Sequence, residues 1–268
     1  MTDEPTDRRY LTQQQYATDA NLAARQSLYV YQQPRVDMWR HSLDFAGLSG
    51  NESVLDVGCG NGLYLAALAT HDHSGLVCGM DLSSGMLTSA RARSAAPLLQ
   101  GDAQRLPFTD QSFDVVFAMH MLYHVPDRRL AITELRRVLR RDGVCLAVTN
   151  SHGHLEQLLE MINESRRALL GDETPDITRT YLRFSCESAG NELAPVFSSV
   201  EQHSMDGVLT VTDVPPILEY VRSMGRVVAV PDDVREELLA EIRRRAGAVI
   251  NQTGALRIAT RVCCFVCR

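Results

Sequence analysis

A carboxylate, a run of glycines, a second carboxylate and a pair of histidines are the residues of this chain with the types and spacing to do chemistry. Asp56 opens Asp56-Val57-Gly58-Cys59-Gly60-Asn61-Gly62, where an apolar run turns into bare backbone. Missing side chains at Gly58, Gly60 and Gly62 let a ligand lie directly against peptide N–H groups, the arrangement that a strand-to-helix turn offers to nucleotides. Asp81 follows about 20 residues later, where an acid at the end of the next strand accepts hydrogen bonds from ribose hydroxyls. Asp56 narrows the choice of nucleotide. A carboxylate beside the loop repels a diphosphate and suits a ligand with an ammonium tail and a sulfonium centre. Leu63 also holds the place where a dinucleotide fingerprint needs its third glycine. His120 and His124 lie just beyond a buried apolar run and can take up a proton near neutral pH, which makes them candidate general bases.

These residues need a scaffold of alternating strands and helices, and the first half of the chain reads that way. Strands are predicted at 53–57, 75–81 and 112–122, with a short strand and then a long loop within "LLQGDAQRLPF" (98–108). Helices are predicted at 61–70, at 83–96 behind a serine N-cap, and at 126–143, where Gly143 ends the last of them. A βαβαβ order implies a Rossmann-like parallel sheet with helices on both faces. Apolar stripes at helical spacing over 154–170 and 232–250 predict two cap helices. Residues 196–205 and 255–267 read as strands that finish the sheet as a C-terminal antiparallel pair. The expected organisation is an N-terminal helical lid (1–50), a ligand-binding core (51–150), and cap helices with the last strands (151–268).

Over residues 53–150 the chain resembles the class I S-adenosylmethionine (SAM)-dependent methyltransferases. The resemblance is carried in order by "VLDVGCGNG" (54–62), Asp81, "GDAQRLPF" (101–108), "FDVVFAMHMLYHVPD" (113–127) and "ELRRVLRRDGVCLAV" (134–148). The "LPF", "FDVV" and "HVPD" elements are similar to the small-molecule branch of ubiquinone and menaquinone biosynthesis, with Tyr123 where that branch has a first histidine. The resemblance implies that Gly58, Gly60 and Gly62 support the methionine end of SAM, with Asp56 beside it. It likewise implies Asp81 at the ribose, Asp102 and Ala103 at the adenine edge, Leu82 and Met86 on the adenine face, and Met119 against the methionine backbone. No Asn/Asp-Pro-Pro-aromatic sequence follows the fourth strand, which weakens base or amide methylation, and "AMHML" lacks the carboxylates of a Mg²⁺ site. A metal-independent reaction at O, N or C of a natural-product or cofactor precursor is implied. Tyr29, Tyr31, Tyr181, Phe184 and Tyr220, all outside the core, are candidate walls of the acceptor pocket.

Composition excludes other classes. All 27 basic residues are arginine, so lysine-based Schiff-base, pyridoxal-phosphate and phosphate-loop chemistry is absent. A net charge of -6 argues against a general nucleic-acid binder. No apolar stretch has the length of a membrane span, and the polar N-terminus reads as a cytoplasmic chain, monomeric or homodimeric, with small-molecule partners. Seven cysteines without framework spacing read as reduced thiols, and Cys264-Phe265-Val266-Cys267 as strand alternation rather than a zinc site. "HDH" (71–73) and "HGH" (152–154) read as solvated turns. An NAD-dependent oxidoreductase and a non-catalytic SAM-binding accessory protein are the alternative readings.

Overall fold

The computed structural model describes residues 6–35, 38–70, 73–177, 183–228 and 230–268. Its strands are β1 (Gln32–Gln33), β2 (Val54–Val57), β3 (Val77–Asp81), β4 (Leu98–Gln100), β5 (Phe113–Met119), β6 (Leu139–Asn150), β7 (Val200–Val211) and β8 (Leu256–Cys267). They form one sheet in the order β1-β7-β8-β6-β5-β2-β3-β4. Strands β2 to β6 run parallel to one another, whereas β8 pairs antiparallel with both β6 and β7. The Rossmann-like α/β class and the antiparallel C-terminal pair are as expected from sequence. The edge strand β1 is not, because two glutamines carry no strand pattern of their own; they pair with Val208 and Leu209 of β7.

The helices are α1 (Arg8–Tyr10), α2 (Ala20–Leu28), α3 (Met38–Ala46), α4 (Leu63–Thr70), α5 (Ser84–Arg93), α6 (Arg128–Val138), α7 (Glu156–Leu170), α8 (Ala189–Leu193), α9 (Val214–Ser223) and α10 (Arg235–Thr253). Alternate residues of β5 bury against opposite layers. Val116 and Ala118 face the cluster holding Ile132 and Leu135 of α6, while Val115, Phe117 and Met119 face the one holding Leu43 of α3. A strand covered on both faces reads as a continuous apolar run, which is why β2 and β5 stand out in the sequence. A separate cluster joins α7, α9 and α10 to Leu209, Val211, Leu256 and Ile258. The hairpin of β7 and β8 thus extends past the parallel core, and its outer half carries the cap helices.

Helix α6 ends at Val138, five residues before the predicted stop at Gly143. Leu139 is fully buried opposite Phe113, so the chain must already be extended there. Arg140 then pairs with Asp114 across the strands at 2.5 Å. Gly143 instead sits in β6, where a Cβ would crowd the Asp114 carbonyl at 2.8 Å.

Cys186 and Cys263 are joined in a disulfide, contrary to the reading of all cysteines as reduced. They lie 77 residues apart and become neighbours only when the segment leading into α8 folds against β8, which no local spacing could reveal. The remaining thiols, at Cys59, Cys78, Cys145, Cys264 and Cys267, are buried. Thiol titration of the denatured protein should therefore count five without reductant and seven with it. Seven in both conditions would remove the bridge.

Candidate active site

The sheet order reverses at β2, whose neighbours β3 and β5 lead away in opposite directions, and ligands of open α/β sheets bind in the crevice outside the strand ends at such a point. A cavity of about 650 Å³ opens there. The expected site residues Asp56, Gly58, Gly60, Asp81, Leu82, Met86, Asp102, Ala103, Met119, His120, His124, Tyr29 and Tyr220 all line it.

Asp56 is the electrostatic centre of one end. Its carboxylate is buried in the middle of the sheet, and neither oxygen has a hydrogen-bond partner. Burial, with the nearby Asp81 charge second, pushes its pKa up to about 8. Asp81 is held differently: Oδ2 accepts from the Gly60 amide at 2.9 Å and Oδ1 from the Ser83 amide at 2.8 Å. Burial raises its pKa against those two bonds.

The glycine loop departs from expectation in what it does with its amides. Gly58 and Cys59 both donate to the Met80 carbonyl, at 2.7 and 3.0 Å, Gly60 donates to Asp81, and Gly62 to the Cys59 carbonyl. These N–H groups are spent inside the protein and are not a cradle for a ligand. The glycines are needed for backbone shape and close packing, all three having positive φ. Gly62 does not line the cavity: a Cβ there would lie 2.9 Å from Ala90 Cα of α5. A loop with spent amides beside an unpaired carboxylate has little to offer a diphosphate.

Around Asp102 the structure adds partners that sequence did not suggest. Gln104 donates to it from backbone and side chain, and Arg8 of α1 reaches Oδ2 at 2.9 Å. Its loop is pinned from α6, where Arg137 donates to the carbonyls of Leu106 and Phe108 and Glu134 accepts from the Leu106 amide.

His120 follows β5 with φ +54°, a left-handed turn that ends the strand, and its amide donates to the Val148 carbonyl. Burial lowers its pKa to about 4, so the imidazole is neutral at physiological pH. His124 is committed to the N-terminal segment through a 2.9 Å hydrogen bond between Nε2 and the Tyr16 hydroxyl. Arg25 stands over the same Tyr16 ring, 5.4 Å from its centroid.

A second histidine–tyrosine pair corrects the reading of "HGH" as a solvated turn. His154 is buried, with Nδ1 accepting from the Arg261 amide at 3.1 Å and Nε2 lying 2.8 Å from the Tyr29 hydroxyl. The amide fixes the tautomer, so Nε2 carries the proton and donates to Tyr29. Burial and then the neighbouring His120 lower the His154 pKa to about 3. In "HDH", His73 binds the Glu52 carbonyl at 2.9 Å, while His71 and Asp72 lie outside the described residues.

Two predicted acceptor walls are elsewhere. Phe184 is fully buried in the main core beneath β6, where its carbonyl accepts from Thr149. Tyr31 packs against the cap cluster and does not line the cavity. Tyr181 lies outside the described residues. The sequence reading missed Tyr16, Arg25, Asn150, Met205 and Val262, which do line it. Only the apolar alternation of β7 and β8 hinted at the last two.

Residues 55–147 match a family model described as a methyltransferase domain. Demethylmenaquinone methyltransferase of Staphylococcus aureus is 35% identical over 120 residues, which are 43% of this chain and 50% of that protein. The chain therefore spans about half the length of the curated relatives it matches. Among solved structures, a candidate methyltransferase from Bacillus halodurans superposes with a TM-score of 0.59 at 22% identity, covering 87% of this chain and 99% of its own. A candidate methyltransferase from an antibiotic biosynthesis pathway of Anabaena variabilis gives 0.59 at 18% identity, with 85% and 95% covered. Those structural likenesses extend the shared fold beyond the matched segment to most of the chain. Residues 55–147 are thus similar to the methyltransferase domain family, and the chain shares the Rossmann-like α/β fold of these two structures.

Proposed function

We propose that the protein transfers a methyl group from SAM to a small-molecule acceptor, without a metal ion. The observation that carries this is Asp56: a buried carboxylate with no protein partner, lining a cavity beside a loop whose amides are already used. Burying a lone carboxylate is costly, and the ammonium of SAM supplies the missing counter-charge. The donor set fits the rest of that ligand. Asp81 would hold the ribose, Leu82 and Met86 would flank the adenine, and Asp102 with Ala103 would meet its edge, an adenine amino group sharing Asp102 with Arg8. Arg25 would supply a cation for the methionine carboxylate.

SAM contributes an electrophilic methyl group on a sulfonium, so the chain's own task is to align the acceptor and exclude water. His120 is the residue we assign to proton uptake, at a ring nitrogen kept unprotonated by burial. His124 is assigned to holding the lid through Tyr16. Residues 1–50 act as lid, 51–150 as cofactor core and 151–268 as cap with the last strands. The Staphylococcus relative's name supports a small acceptor of the quinone-precursor kind as the starting screen. The first test is titration calorimetry of the full chain with SAM, S-adenosylhomocysteine (SAH) and NADH. Heat with the first two and none with NADH is expected, followed by SAH formation when acceptors are added. Tight NADH binding without SAM binding would overturn the proposal.

A further inference from the structure

The cavity is electrically two-ended. Among the described residues its lining carboxylates are Asp56, Asp81 and Asp102, all on β2, on β3 or just after β4. Across β5, the other end is built from β6, β8 and β7. Asn150 pairs with Val262, and Val262 with Met205, so the three side chains form one row across adjacent strands, and all three line the cavity. Tyr29 is tied to this end through His154, which accepts from the Arg261 amide next to Val262, and Tyr220 and the exposed Arg35 also line the cavity. Among the described residues the lining of this end holds no acid.

Within that row Asn150 is the polar member. Its backbone carbonyl is occupied by the Cys186 amide, but its side-chain Oδ1 is out of water and has no donor. An amide offers one acceptor and one donor group, and a hydroxyl is the neutral partner that can answer both. An ammonium is the wrong partner, since burying it beside neutral groups leaves its charge unpaired. Resting on the methyl-transfer reading above, we propose that this end is the acceptor subsite, that it takes uncharged hydroxyl-bearing molecules in preference to protonated amines, and that Asn150 sets the preference. The apolar Val262 and Met205 beside Asn150 suit a partly apolar body.

The experiment uses the full chain saturated with SAH and two probes of matched shape, 2-naphthol and 2-naphthylmethylamine, titrated calorimetrically at pH 7. Naphthol should bind at least about tenfold tighter than the amine, a difference of about 1.4 kcal/mol. Asn150→Leu should weaken naphthol by about tenfold, the effect of one lost buried hydrogen bond. Asn150→Asp, which places a carboxylate in the row, should reverse the order of amine and naphthol. SAH affinity serves as the folding control in both variants, because Asn150 lies outside the cofactor end. The inference is overturned if wild type binds the amine as well as naphthol, if no probe binds, or if Asn150→Asp leaves the order unchanged while SAH still binds. A chain that binds no SAH fails at the cofactor reading, and the inference falls with it.

Discussion

Replacing Asp56 by asparagine should make the unliganded protein more stable and its complex with SAM far weaker. The two effects have one cause. Below about pH 4 the carboxyl is protonated in both folded and unfolded chains and contributes no pH dependence. Between there and its folded pKa of about 8 the folded chain holds a proton that the unfolded chain has released, so stability falls as pH rises, by about 1.4 kcal/mol per unit. Above that pKa the penalty is constant. An asparagine side chain cannot ionise, so Asp56→Asn should melt higher than wild type, with the gap widening from about pH 5 to about pH 8. Cation binding runs the other way. Ionised Asp56 is the form that pairs with an ammonium, so SAM affinity in wild type should rise with pH toward the folded pKa. In the variant this rise should vanish and affinity should drop by about 2 to 5 kcal/mol, the usual consequence of losing one member of a buried charge pair. Thermal melts from about pH 5 to about pH 9, with and without SAM, read both effects at once. A variant that melts lower throughout and binds SAM normally would show that Asp56 is a structural acid.

The cofactor end of the site is legible in the sequence because its determinants are local. Asp56, the glycines and Asp81 belong to two consecutive strands and one turn, and their positions along the chain translate directly into positions at the strand ends. The acceptor end is built otherwise. Asn150, Val262 and Met205 come from three strands whose pairing is antiparallel and long-range, and Tyr29 meets His154 across 125 residues. His154 lies in a segment that looks solvated because it is flanked by serine, histidine and glycine, yet β8 supplies the amide that orders it. Aromatic neighbours in the chain suggest a pocket wall for Phe184, whereas its depth is set by packing under β6. The helix end at Val138 is hidden for a related reason: arginines suit a helix's polar face, and only the burial of Leu139 shows that the strand has begun. Local pattern specifies the Asp56–Asp81 end of the cavity here, and tertiary pairing specifies the Asn150 end.

The N-terminal segment shows the same division. Its sequence carries weak helical signals, and what fixes it is complementarity with distant glycines and caps. Ser83, the N-cap of α5, donates from Oγ to the Tyr16 carbonyl at 2.6 Å, and a Cβ on Gly85 would strike the Ala17 carbonyl. On the cap side Gln15 donates to the Ser223 carbonyl at 2.9 Å, while Gly225 leaves room for the Tyr10 hydroxyl. Residues 6–17 therefore bridge core and cap over the cavity, which places Tyr16 and Arg8 on its rim.

Gly62→Ala should cost on the order of 3 to 5 kcal/mol, although the residue does not line the cavity. Its φ of +78° makes any β-carbon strained by about 1 to 2 kcal/mol. The added carbon would also lie 2.9 Å from Ala90 Cα and 3.0 Å from Ala90 Cβ, so the opposing wall is helix α5 rather than a side-chain tip. Relief requires α5 to move away from the turn, and α5 carries the Ser83 cap and Met86, which lines the cavity. Two comparisons separate strain from clash. Gly254→Ala has φ +83° and open space, so it should lose only the strain. Gly60→Ala has φ +54° and meets only Leu22 Cδ2 of the lid at 3.3 Å, a side-chain end that can give way. Its stability loss should match Gly254→Ala, while its SAM affinity falls because the lid is pushed outward. Urea unfolding midpoints for the three variants should therefore rank Gly62→Ala well below the other two. Equal losses at Gly62 and Gly254 would mean that the close approach of α5 to the turn is not what selects glycine there.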